Sequence, residues 1–129
     1  MISSVALAAT VPLDPEPAHI VGTGGALGAL ARHWVYRHVT WEDVPAATLV
    51  VNVLGSFLFG ALVFAGVGES TLQLLGVGFC GSFTTFSSFS VETVQLWERG
   101  DRAVAVGNAA ANLIVSLAAI GLAWVLVGF

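Results

Sequence analysis

The run Gly78-Phe79-Cys80-Gly81-Ser82-Phe83-Thr84-Thr85-Phe86-Ser87-Ser88-Phe89-Ser90 places six hydroxyls, two glycines and four phenylalanines inside an otherwise apolar segment. Hydroxyls are uncharged hydrogen-bond donors, and aromatic rings present a positive edge because of their quadrupole. Two further sets share this character. Asn52 and Ser56 stand one helical turn apart, and Asn108, Asn112 and Ser116 follow at strict four-residue spacing, each set on one helix face. A lone asparagine in an apolar helix can tie two helices together for roughly 0.6–2 kcal/mol. Its amide can equally donate to a passing anion, and the hydroxyls nearby favour that reading. Three polar residues in register on the last block read as a lined path or a polar subunit interface. Nucleophilic chemistry is disfavoured, because no histidine lies among these hydroxyls to activate them. His19, His33 and His38 sit toward the ends of the first block, and none has a second ligand at metal spacing.

The elements that must position these groups are set by composition. Of 129 residues, 57% are hydrophobic and only 9% charged, and the apolar ones fall in four long blocks at about 20–39, 48–67, 71–97 and 103–129. This is the pattern of a small all-α integral membrane protein with a four-helix domain over 19–129. Residues 1–18, with Pro12, Pro15, Pro17, Asp14 and Glu16, read as a short mobile acidic tail without a secretory leader. The third block, Thr71 to Trp97, is 27 residues long, roughly 40 Å as one helix, against a hydrocarbon core of roughly 30 Å. Its centre falls on Thr84, amid the hydroxyls. Bilayers leave no water for stray polar groups, so the expectation is a helix broken at the midplane with its polar break covered by protein or a wet cavity. In the first block Gly24 and Gly28 form a small-xxx-small pair for close helix approach. Arg32 stands within that block, an interfacial anchor or part of an anion vestibule. Glu92 reads as a solvated carboxylate near a helix end. Cys80 is the only cysteine, which excludes an internal disulfide, and its expected role is packing.

The formal net charge is −4, with four arginines and no lysine. A basic patch for nucleic acid is absent. Acid-rich, lysine-free loops point to a salt-adapted host. Arg37, Arg99 and Arg102 belong to the two loops on one side of a four-helix chain, and the positive-inside rule then places both termini outside. So small a bundle buries little surface, and an oligomer is expected.

Three ordered motifs carry a resemblance: Gly24-Gly25-Ala26-Leu27-Gly28-Ala29-Leu30-Ala31-Arg32, Thr48-Leu49-Val50-Val51-Asn52-Val53-Leu54-Gly55-Ser56-Phe57, and Gly78 through Ser90 with Val91-Glu92. Together they resemble the Fluc/CrcB family of fluoride channels over essentially the whole chain past its tail. The resemblance implies a four-helix subunit paired antiparallel into a double-barrelled channel in a prokaryotic plasma membrane. It implies passive export of fluoride, with Phe86 and Phe89 lining the path and Asn52 donating to the ion. Ser87, Ser88, Asn112 and Ser116 would continue the polar track, and Arg32 would lie near an aqueous vestibule. The carbonyls of Gly81 and Thr84 would hold a structural sodium ion at the dimer centre. Ser82 departs from the pattern, where a second glycine is common after Gly81. The partner implied is a second copy of the chain or an oppositely inserted homologue. The one-sided arginines raise the obligate heterodimer, whereas the full set Asn52, Phe86 and Phe89 favours the homodimer.

Passive conduction of a small, strongly hydrated anion requires donors that replace its water without a full charge that would trap it. The nearest rival is a four-helix multidrug exporter, which needs a membrane-embedded carboxylate to exchange protons for a cation. The first block has no Asp or Glu, which speaks against it.

Overall fold

A computed structural model describes residues 16–129, and the first fifteen residues of the expected tail lie outside that range. Helix α1 spans Glu16–His38 and α2 spans Ala46–Phe64. A short α3, Glu69–Thr71, runs on into a π-helical stretch, Leu72–Cys80, and then into α4, Gly81–Phe83. Two extended residues, Thr84 (φ −80°, ψ 158°) and Thr85 (φ −149°, ψ 118°), lead into α5, Phe86–Glu98. Helix α6 spans Arg102–Val127 and ends the fold. No β-strand occurs among the described residues.

The first helix starts ahead of the expected Ile20. Pro17 sits in its first turn, where a missing N–H goes unused, and Glu16 faces the positive end of the helix dipole. Helix α2 stops at Phe64, short of the expected Val67, because Gly66 takes φ +65°. Val67 N–H then bonds Leu62 O at 3.4 Å and Gly66 N–H bonds Val63 O at 3.1 Å, the paired capping bonds of a Schellman motif. Gly100, at φ +92°, closes α5 the same way through Asp101 N–H to Leu96 O and Gly100 N–H to Trp97 O.

Three stretches are long and apolar enough to cross a membrane: α2 with mean hydropathy 2.1, Glu69–Glu98 with 1.3, and α6 with 2.2. Helix α1, at 23 residues, reaches roughly 35 Å but carries three histidines and two arginines and is more polar than these. Leu113, Ile114 and Leu117 of α6 are exposed, so the outside of the bundle is itself apolar. Together these features make the chain a multi-pass membrane protein.

Two helix contacts fix the frame. Helix α1 lies backbone to backbone against the π-helical stretch, where a Cβ on Gly24 would overlap the Leu74 carbonyl and one on Gly28 would overlap the Phe79 carbonyl and the Ser82 hydroxyl. Ser82 Oγ in turn donates to Gly25 O at 2.6 Å, so the residue that departs from the expected glycine stitches α4 to α1. Helices α2 and α6 run parallel. Asn52 meets Asn112 across a separation of 60 residues, and two turns further on a Cβ at Gly60 would lie 3.5 Å from the Ile120 Cα. A small core of Val35, Ala47, Val51 and Phe83 fills the space where α1, α2 and α4 converge.

Candidate functional site: a cavity at the extended pair

Thr85 is held in an extended conformation by a side chain. Asn52 Oδ1 accepts the Thr85 N–H at 2.8 Å, and Asn52 Nδ2 donates to the Thr85 carbonyl at 3.1 Å. One amide thus satisfies both polar groups of one residue, as a neighbouring strand would. The Thr85 side chain caps α5 by accepting from Ser88 N–H at 3.2 Å. These bonds have a consequence for the carbonyls one turn earlier. In an unbroken helix Thr85 N–H would go to Gly81 O and Ser88 N–H to Thr84 O. Both donors are committed elsewhere, so both carbonyls leave the helical ladder.

The second amide hydrogen of Asn52 goes to Asn112 Oδ1 at 3.0 Å. Asn112 Nδ2 donates to the Asn108 carbonyl at 2.9 Å and to Asn108 Oδ1 at 3.1 Å. Asn108 passes the chain to Thr93 Oγ1 at 2.9 Å, and Thr93 donates to Phe89 O at 2.7 Å. Asn108 and Asn112 are buried, and the relay leaves no amide hydrogen of Asn52 or Asn112 unengaged. Ser116, last of the stripe, differs: its Oγ is buried and has no hydrogen-bond partner.

Around this relay lies a cavity of about 310 Å³. Asn52 and Ser56 of α2 line it, with Thr84 and Thr85, Phe86 and Phe89 of α5, and Asn112, Leu113 and Ser116 of α6. The Phe86 and Phe89 ring centroids are 5.6 Å apart with planes tilted by 54°. No charged side chain lines the cavity. Phe86 is 79% exposed, so one chain by itself leaves this wall of the site uncovered.

Seven of the residues singled out by sequence thus share one cavity: Asn52, Ser56, Thr84, Phe86, Phe89, Asn112 and Ser116. Ser87 and Ser88 do not line it. Their hydroxyls turn to Thr85 Oγ1, at 3.3 and 3.2 Å, because the first turn of α5 needs that cap. Gly81 faces a separate, mostly apolar cavity of about 430 Å³ that it shares with Thr84, Ser56 and Cys80. Arg32 reaches Thr84 O at 3.4 Å. Thr85 and Ser56 were visible as hydroxyls at suggestive spacing, but nothing local marks their roles.

Glu92 departs from its expected setting as a solvated carboxylate. Its Oε1 accepts from Thr48 Oγ1 at 2.9 Å, and Thr48, fully buried, meets the Tyr36 hydroxyl at 2.5 Å. Glu92 Oε2 is buried without a partner. The carboxylate lies beside a cavity of about 230 Å³ formed by Trp41, Asp43, Val44 and Pro45 with Gln95, Leu96 and Arg99. The loops after α1 and after α5 therefore meet at one end of the bundle.

No group of three or more His, Cys, Asp or Glu suited to a metal occurs among the described residues. The carbonyls of Gly81 and Thr84 are a different kind of donor. They are hard oxygens freed from the ladder, the ligand type that hard cations take. Gly81 stands exposed with open space around its Cβ position, while the Thr84 carbonyl accepts from Arg32 at 3.4 Å.

Residues 19–128 match the profile of the family described as "CrcB-like protein, Camphor Resistance (CrcB)". A protein of Haloarcula marismortui named "Fluoride-specific ion channel FluC 2" is 59% identical over 109 residues, covering 84% of this chain and 92% of that protein. "Fluoride-specific ion channel FluC 1" of Halobacterium salinarum is 48% identical over 111 residues, covering 86% and 93%. "Fluoride-specific ion channel FluC" of Saccharophagus degradans is 43% identical over 115 residues, covering 82% and 85%. With a matched profile running from the start of α1 to the end of α6, the chain belongs to the CrcB family.

Proposed function

We propose that this chain is a subunit of a fluoride-specific ion channel, not an enzyme, that lets cytoplasmic fluoride leave passively and so lowers its toxic concentration. The observation that carries the reading is the cavity shared by Asn52, Phe86, Phe89, Asn112 and Ser116. Its lining is a set of uncharged donors and two aromatic rings, with no fixed charge to trap an anion. The names of the relatives point to the same ion. Ser87 and Ser88 sit beside the cavity and extend the polar surface at the start of α5. Arg32 supplies positive charge near one approach. The negative interior of a cell then drives the anion outward.

The working unit is an antiparallel dimer of four-span subunits in the plasma membrane of a salt-adapted prokaryote, with α1 as the fourth span. The exposed Phe86 supports a site completed by a second chain. In this arrangement Thr84 and Thr85 interrupt the third span at the midplane. The halophile relatives and the absence of lysine support the host assignment. Gly81 and Thr84 would hold a sodium ion at the seam, which adds positive field where the anion crosses. The contact of Arg32 with Thr84 O places a second positive group at the same carbonyl. Pairing with an oppositely inserted homologue is the second reading, favoured by the arginines gathered at one end.

The test is fluoride efflux from liposomes holding the purified chain, against Phe86→Ile and Asn52→Asp. Both variants should lose most of the flux. Unchanged efflux in both removes the pore assignment.

A further inference from the structure

We infer that the Arg32 guanidinium is the resident cation of the Thr84 carbonyl, and that it competes with the sodium ion proposed there, setting the sodium concentration at which that site fills. The inference deepens the sodium assignment and rests on it.

Arg32 reaches the break because of how α1 packs. Gly24 and Gly28 lie backbone to backbone against the π-helical stretch and α4, and Arg32 is the next residue on the same helix face. Ser82 Oγ, donating to Gly25 O at 2.6 Å, holds that register. The face runs from the Leu74 carbonyl past the Phe79 carbonyl to the break, where Arg32 Nη1 donates to Thr84 O at 3.4 Å. That carbonyl has lost its helical donor, since the Ser88 N–H goes to Thr85 Oγ1. A cationic side chain supplies what the ladder no longer does.

The pairing is unusual for a membrane segment. Arg32 is half-buried and, among the described residues, its guanidinium meets no carboxylate and bonds nothing but Thr84 O. A cation at such depth is costly without a partner, and the oxygen that receives it is the type hard cations take. At 3.4 Å the bond is longer than the usual N–H···O range of about 2.7–3.2 Å, so the oxygen is loosely held. A compact ion of higher charge density can take it over. Sodium on that oxygen would stand within about 6 Å of the guanidinium nitrogen. Two unit charges so close to each other near a protein surface oppose one another by about a hundredfold in affinity, at least tenfold after screening. No carboxylate lines either cavity that Thr84 shares, so nothing there offsets the repulsion. A site handicapped in this way fills only where sodium is abundant, in keeping with a salt-adapted host.

The parent chain, Arg32→Gln and Arg32→Lys are melted in detergent over a sodium chloride series, with ionic strength held by N-methylglucamine chloride. Fluoride efflux from liposomes holding the parent is read alongside. The sodium concentration at which the melting temperature begins to climb marks the dissociation constant. Arg32→Gln should melt below the parent without sodium, because Thr84 O loses its donor, and its onset should come at a sodium concentration at least tenfold lower. Arg32→Lys keeps the charge, so its onset should stay within about threefold of the parent. An arginine with a merely structural role would lower melting in both variants and leave the onset where it was. An Arg32→Gln onset within about twofold of the parent, or above it, overturns the inference. So does an Arg32→Lys onset that falls as far as that of Arg32→Gln, because charge is then not the cause. Failure of Arg32→Gln to fold at every sodium concentration also overturns it, since sodium should replace the missing cation. No stabilisation by sodium in either the parent or Arg32→Gln, with parent efflux intact, overturns the sodium assignment and this inference but leaves the channel reading standing. The expected onset shift without any parent efflux supports the competition and overturns the channel reading.

Discussion

Replacing Asn52 by alanine removes three hydrogen bonds at once, and their sizes can be summed from the structure. The bonds to Thr85 O and to Asn112 Oδ1 are side-chain bonds between membrane elements, each worth about 0.6–1.5 kcal/mol net. The third partner, Thr85 N–H, has no alternative acceptor in the extended conformation, and Thr85 is buried. Leaving that donor unsatisfied costs about 1–3 kcal/mol. The total is about 2–6 kcal/mol, on the order of ten degrees or more in melting temperature for a chain of this size. Asn52→Asp should be no better than alanine. It keeps the acceptor for Thr85 N–H but sets a carboxylate oxygen against two carbonyl-type oxygens. Reversible unfolding in mixed micelles measures the difference, and an Asn52→Ala/Asn112→Ala cycle isolates the contact between α2 and α6. Asn52→Ala within about 0.5 kcal/mol of the parent would refute the assignment of Asn52 as the holder of Thr85.

Two further predictions concern packing and the second polar cluster. Gly28→Ala drives a methyl into the Phe79 carbonyl and Ser82 hydroxyl and should cost about 1–3 kcal/mol, whereas Gly81→Ala, with open space around it, should leave melting nearly unchanged. Thr48→Val removes the hydroxyl that joins Tyr36 to Glu92 at a fully buried position, which should cost about 1–3 kcal/mol, with Thr48→Ser recovering most of it. Thermal melts of the four variants check both.

Much of this site was readable because helical spacing is a local property. Asn52 and Ser56, and Asn108, Asn112 and Ser116, could be placed on common faces by counting, and the polar run around Thr84 stood out against its apolar flanks. What counting cannot supply is the offset between α2 and α6, because it arises from packing across a separation of 60 residues. That offset decides that Asn112 faces Asn52 and that Ile120 faces Gly60. Ser87 and Ser88 illustrate the other limit. They lie in the right run, but the unpaired N–H groups at the start of α5 claim the Thr85 cap, and the two hydroxyls gather on it. Glu92 reads from sequence as a solvated carboxylate because its actual setting depends on Thr48, 44 residues earlier. The π-helical stretch has no residue signature in Leu72–Cys80 beyond glycines compatible with the close approach of α1.

The extended pair at Thr84 and Thr85 makes the cavity wall and the liberated carbonyls two faces of one decision. Returning Thr85 N–H to Gly81 and Ser88 N–H to Thr84 would knit a continuous rod, regaining two rungs while forfeiting the Asn52 clasp and the Thr85 cap. Neither feature can be lost alone: straightening would erase the hollow and withdraw the carbonyl oxygens in a single motion. A change at Asn52 therefore reaches the Gly81 and Thr84 carbonyls, to which its own side chain is not hydrogen-bonded.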